Sequence, residues 1–433
     1  MAQINLDTPL TLPCGAVLPN RFAKGAMTEG VADAGNAATQ RHARLYKRWA
    51  EGGLGLSITG NVMVDRRYME RPGNLAIDGE QSPKQMKSLT AMADAGKSAG
   101  GHIWMQISHA GRQTTKAVAT EPVAPSAVGE VALPGGRFGK PRALTGDEII
   151  EIIGRYTHAA VIAKRAGFNG VQIHAAHGYL ISEFLNPLIN QRTDDWGGDL
   201  EGRSRLLLEI IKSVRAQVGP DYPVSVKLNS SDFQKGGFTL TDSIAVIKLL
   251  EAASVDLIEI SGGNYEQPRM MGIEGLEPVY EDEAMIKSST RSREAYFLNY
   301  AVAIREAVTV PLMVIGGFRS RDAMLSALND DQIAIIGIAR PVCSRPDLPK
   351  QMIAGEVETM PSDEASLALG PGWLGPKSSN PTMRAINGFA NMSYFYRNII
   401  RMADGKTPKE RMNLMGALIK HQMTDDADAK RLK

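Results

Sequence analysis

Between Arg21 and Ala354 the sequence repeats one pattern: a short apolar run ending in Gly, Ser, Asn or His, then a longer amphipathic segment. Eight runs read as strands: Arg21–Met27, Leu56–Gly60, His102–Ile107, Gly170–His174, Pro223–Leu228, Leu257–Ser261, Pro311–Ile315 and Ile333–Gly337. Helical periodicity fills the intervals. In Gly146–Ala166 the apolar positions are Ile149, Ile150, Ile153, Tyr156, Ala160, Ile162 and Ala163, and Arg203–Val218 behaves likewise. Strands that alternate with helices build a parallel sheet, since each helix is the crossover to the next strand. Eight such units in about 330 residues match an α/β fold of the (β/α)8 TIM-barrel type. A doubly wound sheet is the runner-up, disfavoured because no G-x-G-x-x-G follows the first strand.

The flanks differ from the repeat. Thr11–Pro19 (TLPCGAVLP) reads as an N-terminal hairpin that closes the barrel bottom. After Ala354 comes a stretch rich in Gly, Pro and Ser over Met360–Pro381. A helix over Ala390–Met402 follows, with Tyr394, Phe395 and Ile399 on one side. Thr407–Lys433 reads as a second helix with a charged, frayed end. The expected organisation is a barrel over 1–355 and a C-terminal helical extension over 356–433, packed on the barrel or a partner subunit. Two connections are long, Ser108 to about Thr145 and Ala175 to about Glu201. In a barrel, the loops that follow strands sit on the catalytic face.

Composition excludes several classes. A net charge of +2 gives no reason to expect nucleic acid or a membrane surface as partner. The two cysteines, Cys14 and Cys343, cannot form a disulfide framework or hold an iron–sulfur cluster alone. The segment Met1–Leu12 lacks the basic and apolar regions of a signal peptide, and no uncharged run approaches a membrane span. The expectation is a cytoplasmic enzyme acting on a small molecule, with a homo-oligomer left open.

Chemistry concentrates in Val171–Arg203, VQIHAAHGYLISEFLNPLINQRTDDWGGDLEGR. His174 and His177 stand at the C-terminal end of the fourth strand, with Tyr179 two residues on. Two imidazole N–H groups can converge on one oxygen and stabilise charge developing there. A phenol beside them can deliver a proton. The competing readings are satisfied structural histidines and a metal-dependent barrel hydrolase, which would need further ligands from other strands. Lys227 lies inward near the end of the fifth strand, a position that a Schiff-base lysine also occupies in other barrels.

The run H-A-A-H-G-Y-L-I-S-E-F-L-N-P, followed by N-Q-R-T-D-D-W-G-G and Arg203, resembles the signature of the old yellow enzyme family of FMN-dependent NADH:flavin oxidoreductases. The resemblance covers roughly residues 8–350. It implies that Gly25, Ala26 and Met27 lie under the isoalloxazine ring, with Thr28 bonding near its C4 carbonyl. Ala26 stands where the family usually has proline. It implies that Gly60 lets the ring approach the backbone, that Gln106 bonds the pyrimidine edge, and that Lys227 lies near N1 and O2. His109 and Arg112 read as loop-ordering residues. It further implies that Gly316, Gly317, Ala339 and Arg340 cradle one phosphate, with Ala339 replacing the usual glycine. One phosphate without a Rossmann fingerprint points to FMN. The activity so implied takes electrons from NADH or NADPH through FMN to an activated C=C bond, with His174, His177 and Tyr179 catalytic. A demethylase or amine dehydrogenase on the same barrel is the alternative, and a non-catalytic flavin-binding protein a third. Specificity is expected in Ser108–Thr145 and around Gly30, Tyr68 and Tyr265.

Overall fold

The computed structural model of the chain describes residues 3–131, 136–263 and 294–432. Eight parallel strands form the barrel: β1 (Phe22–Lys24), β2 (Leu56–Ile58), β3 (His102–Ser108), β4 (Gly170–Ala175), β5 (Val224–Asn229), β6 (Leu257–Ser261), β7 (Leu312–Ile315) and β8 (Ile335–Ile338). Each pairs with the next, β8 pairs with β1, and the ring is therefore closed. Closure leaves none of these eight strands as a sheet edge. All eight expected strands are present. The first is shorter than expected, because the chain after Lys24 leaves the ladder for the top of the barrel.

The crossovers are α1 (Gln40–Glu51), α2 (Pro83–Lys97), α3 (Gly146–Arg165), α4 (Leu200–Val218), α5 (Leu240–Ala252), α6 (Leu298–Arg305) and α7 (Arg321–Asn329). Capping boxes start α1, α2, α3 and α5, at Thr39, Ser82, Thr145 and Thr239. Helix α3 buries Ile149, Ile152, Tyr156, Ala160 and Ala163 against the sheet. Ile150, expected on that face, is 61% exposed. One residue turns a helix by about 100°, so Ile149 and Ile150 cannot share a stripe.

Period-two alternation points Ala23, Leu56, Ile58, Trp104, Leu257, Met313, Ile315 and Ile335 into the barrel. Leu12 and Leu18 pack onto this cluster from the hairpin, whose strands Leu10–Thr11 and Val17–Leu18 are antiparallel. The hairpin is thus an apolar plug in the barrel bottom. Lys24 alternates outward and is fully buried, with its Nζ 4.5 Å from the centre of the Trp49 ring and donating to the Gly25 carbonyl at 2.9 Å. Burial pulls this amine down to about 8.

The C-terminal extension ends in two long helices, α8 (Pro381–Ala403) and α9 (Leu414–Leu432). Helix α8 begins nine residues before the expected Ala390, because Asn380 caps the Thr382 and Met383 N–H groups and Pro381 stands at the first helical position. The charged end expected to fray is helical to Leu432. Its acids are used: Asp425 Oδ1 lies 2.5 Å from Arg71 Nη2. The Arg71 guanidinium lies 4.7 Å over the Tyr396 ring of α8, and Tyr396 stacks on His421 of α9. Arg44 Nε donates to the Ala403 carbonyl. Both helices therefore dock on the barrel of their own chain. Among the described residues no helix is long and apolar enough to cross a membrane.

Candidate active site

Toward the top of the barrel the inward residues turn polar. Gln106 of β3 donates to Gln172 Oε1 of β4 at 2.7 Å, and Gln172 donates to Glu259 Oε2 of β6 at 2.9 Å. Lys227 of β5 closes the chain, with its Nζ 2.8 Å from Glu259 Oε1. All four side chains are buried. The strand register accounts for the contacts, since Gln106 is level with Gln172 and Lys227 with Glu259. Gln106 and Lys227 were expected at the site. Gln172 and Glu259 were missed. The available signal was period two: Glu259 interrupts the apolar run LIEIS between inward Leu257 and Ser261.

Above this chain stand the residues of the β4 end. The His174 ring lies 5.2 Å from that of His177 and 4.7 Å from that of Tyr179, both edge-on. His177 has φ +64 and its N–H donates to Asn229 Oδ1, so a tight left-handed turn folds it back beside His174. Its Nε2 is 2.7 Å from Ser261 Oγ. Burial, then the Lys227 charge, holds both imidazoles well below their usual range and therefore neutral. His174 Nδ1 is buried without a hydrogen-bond partner. Asn61 Nδ2 donates to the Tyr179 hydroxyl at 3.4 Å.

The segment after β1 crosses the barrel top. A Cβ on Gly25 would fall 1.8 Å from Ile315 Cδ1, and one on Gly60 would fall 2.3 Å from Glu29 Oε2. At Gly60 the Met27 carbonyl oxygen would also stand 2.5 Å away, so backbone leaves no room for a side chain there, whereas at Gly25 the Ile315 side chain would have to move. Ala26 packs on the barrel-interior cluster together with Ala339, whereas Met27 turns outward with its sulfur 3.5 Å from Cys343 Sγ. The Thr28 hydroxyl donates to Glu70 Oε2 at 3.2 Å. Glu29, a third residue missed in sequence, accepts from the Gly60 N–H and the Tyr46 hydroxyl, and so pins this segment to β2 and α1.

Beyond β7, Gly316 and Gly317 have φ of +95 and +96, the left-handed region that glycine enters freely. Past Phe318, the N–H groups of Arg319 and Ser320 donate to Glu294 Oε2 at 2.8 Å each. Arg340 follows β8, its Nη1 3.5 Å from Glu364 Oε1. The two blocks lie side by side because β7 and β8 are paired. Two adjacent strand ends with left-handed glycines and an arginine suit one phosphate. With the buried amide–carboxylate–lysine chain and the orphaned His174 nitrogen, these residues fit a flavin mononucleotide. Tyr265 lies outside the described residues. Among the described residues no three His, Cys, Asp or Glu side chains converge to hold a metal ion.

The fold and this site define a (β/α)8-barrel oxidoreductase. The NADH:flavin oxidoreductase / NADH oxidase family matches residues 5–358, and the chain belongs to that family. An NADH-dependent flavin oxidoreductase of Hypocrea jecorina is 38% identical over 370 residues, 82% of this chain and 90% of that protein. An NADPH dehydrogenase of Halalkalibacterium halodurans is 30% identical, covering 84% of this chain and 94% of that one. Among solved structures, the old yellow enzyme homologue from Zymomonas mobilis superposes with a TM-score of 0.66 at 26% identity, over 82% of this chain and 94% of that one. A 2-naphthoyl-CoA reductase bound to 2-naphthoyl-CoA superposes with a TM-score of 0.71 at 28% identity, over 82% of this chain and 53% of that longer protein. The protein is accordingly an FMN-dependent oxidoreductase that takes electrons from a nicotinamide.

Proposed function

We propose that the protein reduces the C=C bond of an α,β-unsaturated carbonyl compound, with His174 and His177 holding the carbonyl oxygen and Tyr179 supplying the proton. The supporting observation is the edge-on cluster of two neutral imidazoles and one phenol at the end of β4. Bound FMN supplies the two-electron chemistry, accepting electrons from the nicotinamide and passing them to the electron-poor double bond. Gly25, Ala26, Met27, Thr28, Gly60, Gln106 and Lys227 are proposed to hold its ring, and Gly316, Gly317, Ala339 and Arg340 its phosphate.

The chain's part is binding, polarisation and proton delivery. Neutral imidazoles donate hydrogen bonds to a developing enolate oxygen without giving up a proton to it. His177 Nε2 faces the Ser261 hydroxyl, so Ser261 fixes that ring's orientation. Tyr179 starts the short helix Leu180–Leu185, and that helix sets its phenol beside His174. A phenol gives its proton to the α-carbon as a hydride reaches the β-carbon, so the double bond gains one hydrogen at each end.

The test separates the two half-reactions by stopped flow. Tyr179→Phe is expected to leave flavin reduction by NAD(P)H at its parent rate and to slow enone reduction by about 10²-fold or more. Equal slowing of both halves would reject the proton-donor role. His174→Ala is expected to slow enone turnover by about 10²–10³-fold, the cost of one lost oxyanion donor.

A further inference from the structure

Beside the loop after β1 lies a cleft of about 390 Å³ walled by α8, α9 and the first turn of α1. Its volume falls within the ~300–1,000 Å³ of small-molecule sites. Four cations line it: Arg41, Arg397, Lys420 and Arg431, against one acid, Asp428. Two of the cations are compensated. Arg41 Nε lies 2.8 Å from Asp404 Oδ1, and Arg431 Nη1 lies 3.1 Å from Asp428 Oδ1. Arg397 and Lys420 have no carboxylate partner among the described residues. Arg397 is partly buried, and burial with the neighbouring Arg41 and Arg401 charges disfavours its charged form more than Asp404 supports it. Uncompensated positive charge in a concave site draws an anion.

The cleft adjoins the reaction site through α9. Its wall includes Gly30, two residues beyond Thr28. Leu432, at the end of the same helix, packs on the cluster that contains Tyr179 and Met69. From Lys420 to Leu432 the helix runs about 18 Å at 1.5 Å per residue. A small enone cannot bridge that distance, whereas an extended nucleotide-tailed molecule can. Met423 and Ala427 line the same cleft and offer apolar surface to a base.

We propose that this cleft binds the phosphate-bearing adenosine end of a nucleotide ligand whose other end reaches the site near Tyr179. Two ligands of the reaction class carry that moiety: NAD(P)H as donor, and an acyl-coenzyme A thioester as acceptor. Phosphate recognition stands without the ene-reductase reading, which is needed only to say what the far end of the ligand does.

The probes are ADP and 2′,5′-ADP, titrated calorimetrically into the FMN-loaded holoenzyme. Both are expected to bind the parent protein, with affinity falling as salt rises. The double variant Arg397→Gln with Lys420→Gln is expected to lose at least tenfold in affinity. Arg397→Lys with Lys420→Arg, which keeps both charges, is expected to retain most of it. An unchanged flavin absorption spectrum and melting temperature show that the variants are folded. The Michaelis constants then distinguish the source. A tenfold rise confined to NAD(P)H makes the cleft a donor site, and a rise confined to an enoyl-coenzyme A against its simple ester makes it an acceptor site. Equal ADP affinity in parent and Gln variant, or none in the parent, overturns the proposal. ADP binding in a protein that reduces no enone would instead sink the ene-reductase reading and leave the cleft standing.

Discussion

Lys227 Nζ and Glu259 Oε1 lie 2.8 Å apart inside the barrel, on neighbouring strands and at the same register. The pair is desolvated, and Glu259 has its second oxygen on the Gln172 amide. A buried pair of this kind costs more to break than to replace, because removing one partner strands the other charge.

Lys227→Met should therefore destabilise the protein by roughly 3–5 kcal/mol. It should also weaken FMN retention and lower the flavin potential, since a fixed cation favours the negative charge of a reduced ring. Lys227→Met with Glu259→Gln should recover most of the stability without recovering the potential. Chemical denaturation and a redox titration read the two quantities separately. A double variant that restores both would show that Lys227 acts on the flavin only through the fold.

Acid should weaken the fold through its buried histidines. Burial pulls the His109 imidazole from 6.5 to about 4. The folded state holds it neutral, while the unfolded chain takes up a proton below about pH 6.5. Protons thus favour the unfolded state, and stability falls as pH drops from about 6.5 toward 4. The whole difference is on the order of 3 kcal/mol for this one group. His174 and His177 shift in the same direction. Melting temperatures should be level near neutrality and decline steadily through this window, with a shallower slope for His109→Gln. A parallel slope in that variant would remove His109 from the account.

Gly316 and Gly317 share a left-handed backbone but differ in surroundings. A Cβ on Gly317 would stand 2.1 Å from the Glu294 carbonyl oxygen, while one on Gly316 would stand 3.3 Å from the Tyr296 ring. Gly317→Ala must shift backbone as well as bear about 1–3 kcal/mol of dihedral strain. It should shed FMN on gel filtration, and Gly316→Ala should shed less. Flavin fluorescence in the low-molecular-weight fraction measures both. Full retention in Gly317→Ala would place the phosphate elsewhere.

Much of this was legible in the sequence because it is periodic or local. The alternation of apolar runs and amphipathic segments specified eight parallel strands, since a half-buried helix and a doubly buried strand each have one stable partner. Period two within β5 also pointed Lys227 inward, while Gln106 came from the family resemblance. The spacing of His174, His177 and Tyr179 placed them together, because three residues at one strand end cannot be far apart.

Only the closed barrel decided who meets whom across it. Gln172 and Glu259 became parts of the site because closure brings β3, β4, β5 and β6 level, a matter of register that no single strand contains. Glu29 likewise needed Gly60 and Tyr46 delivered from elsewhere in the chain. The charged C-terminus looked prone to fray because a helix so rich in charge gains little by itself. Its order comes from Arg71 and Tyr396, partners more than twenty residues distant from Asp425 and His421, and long-range contacts of that kind exist only once the barrel has formed.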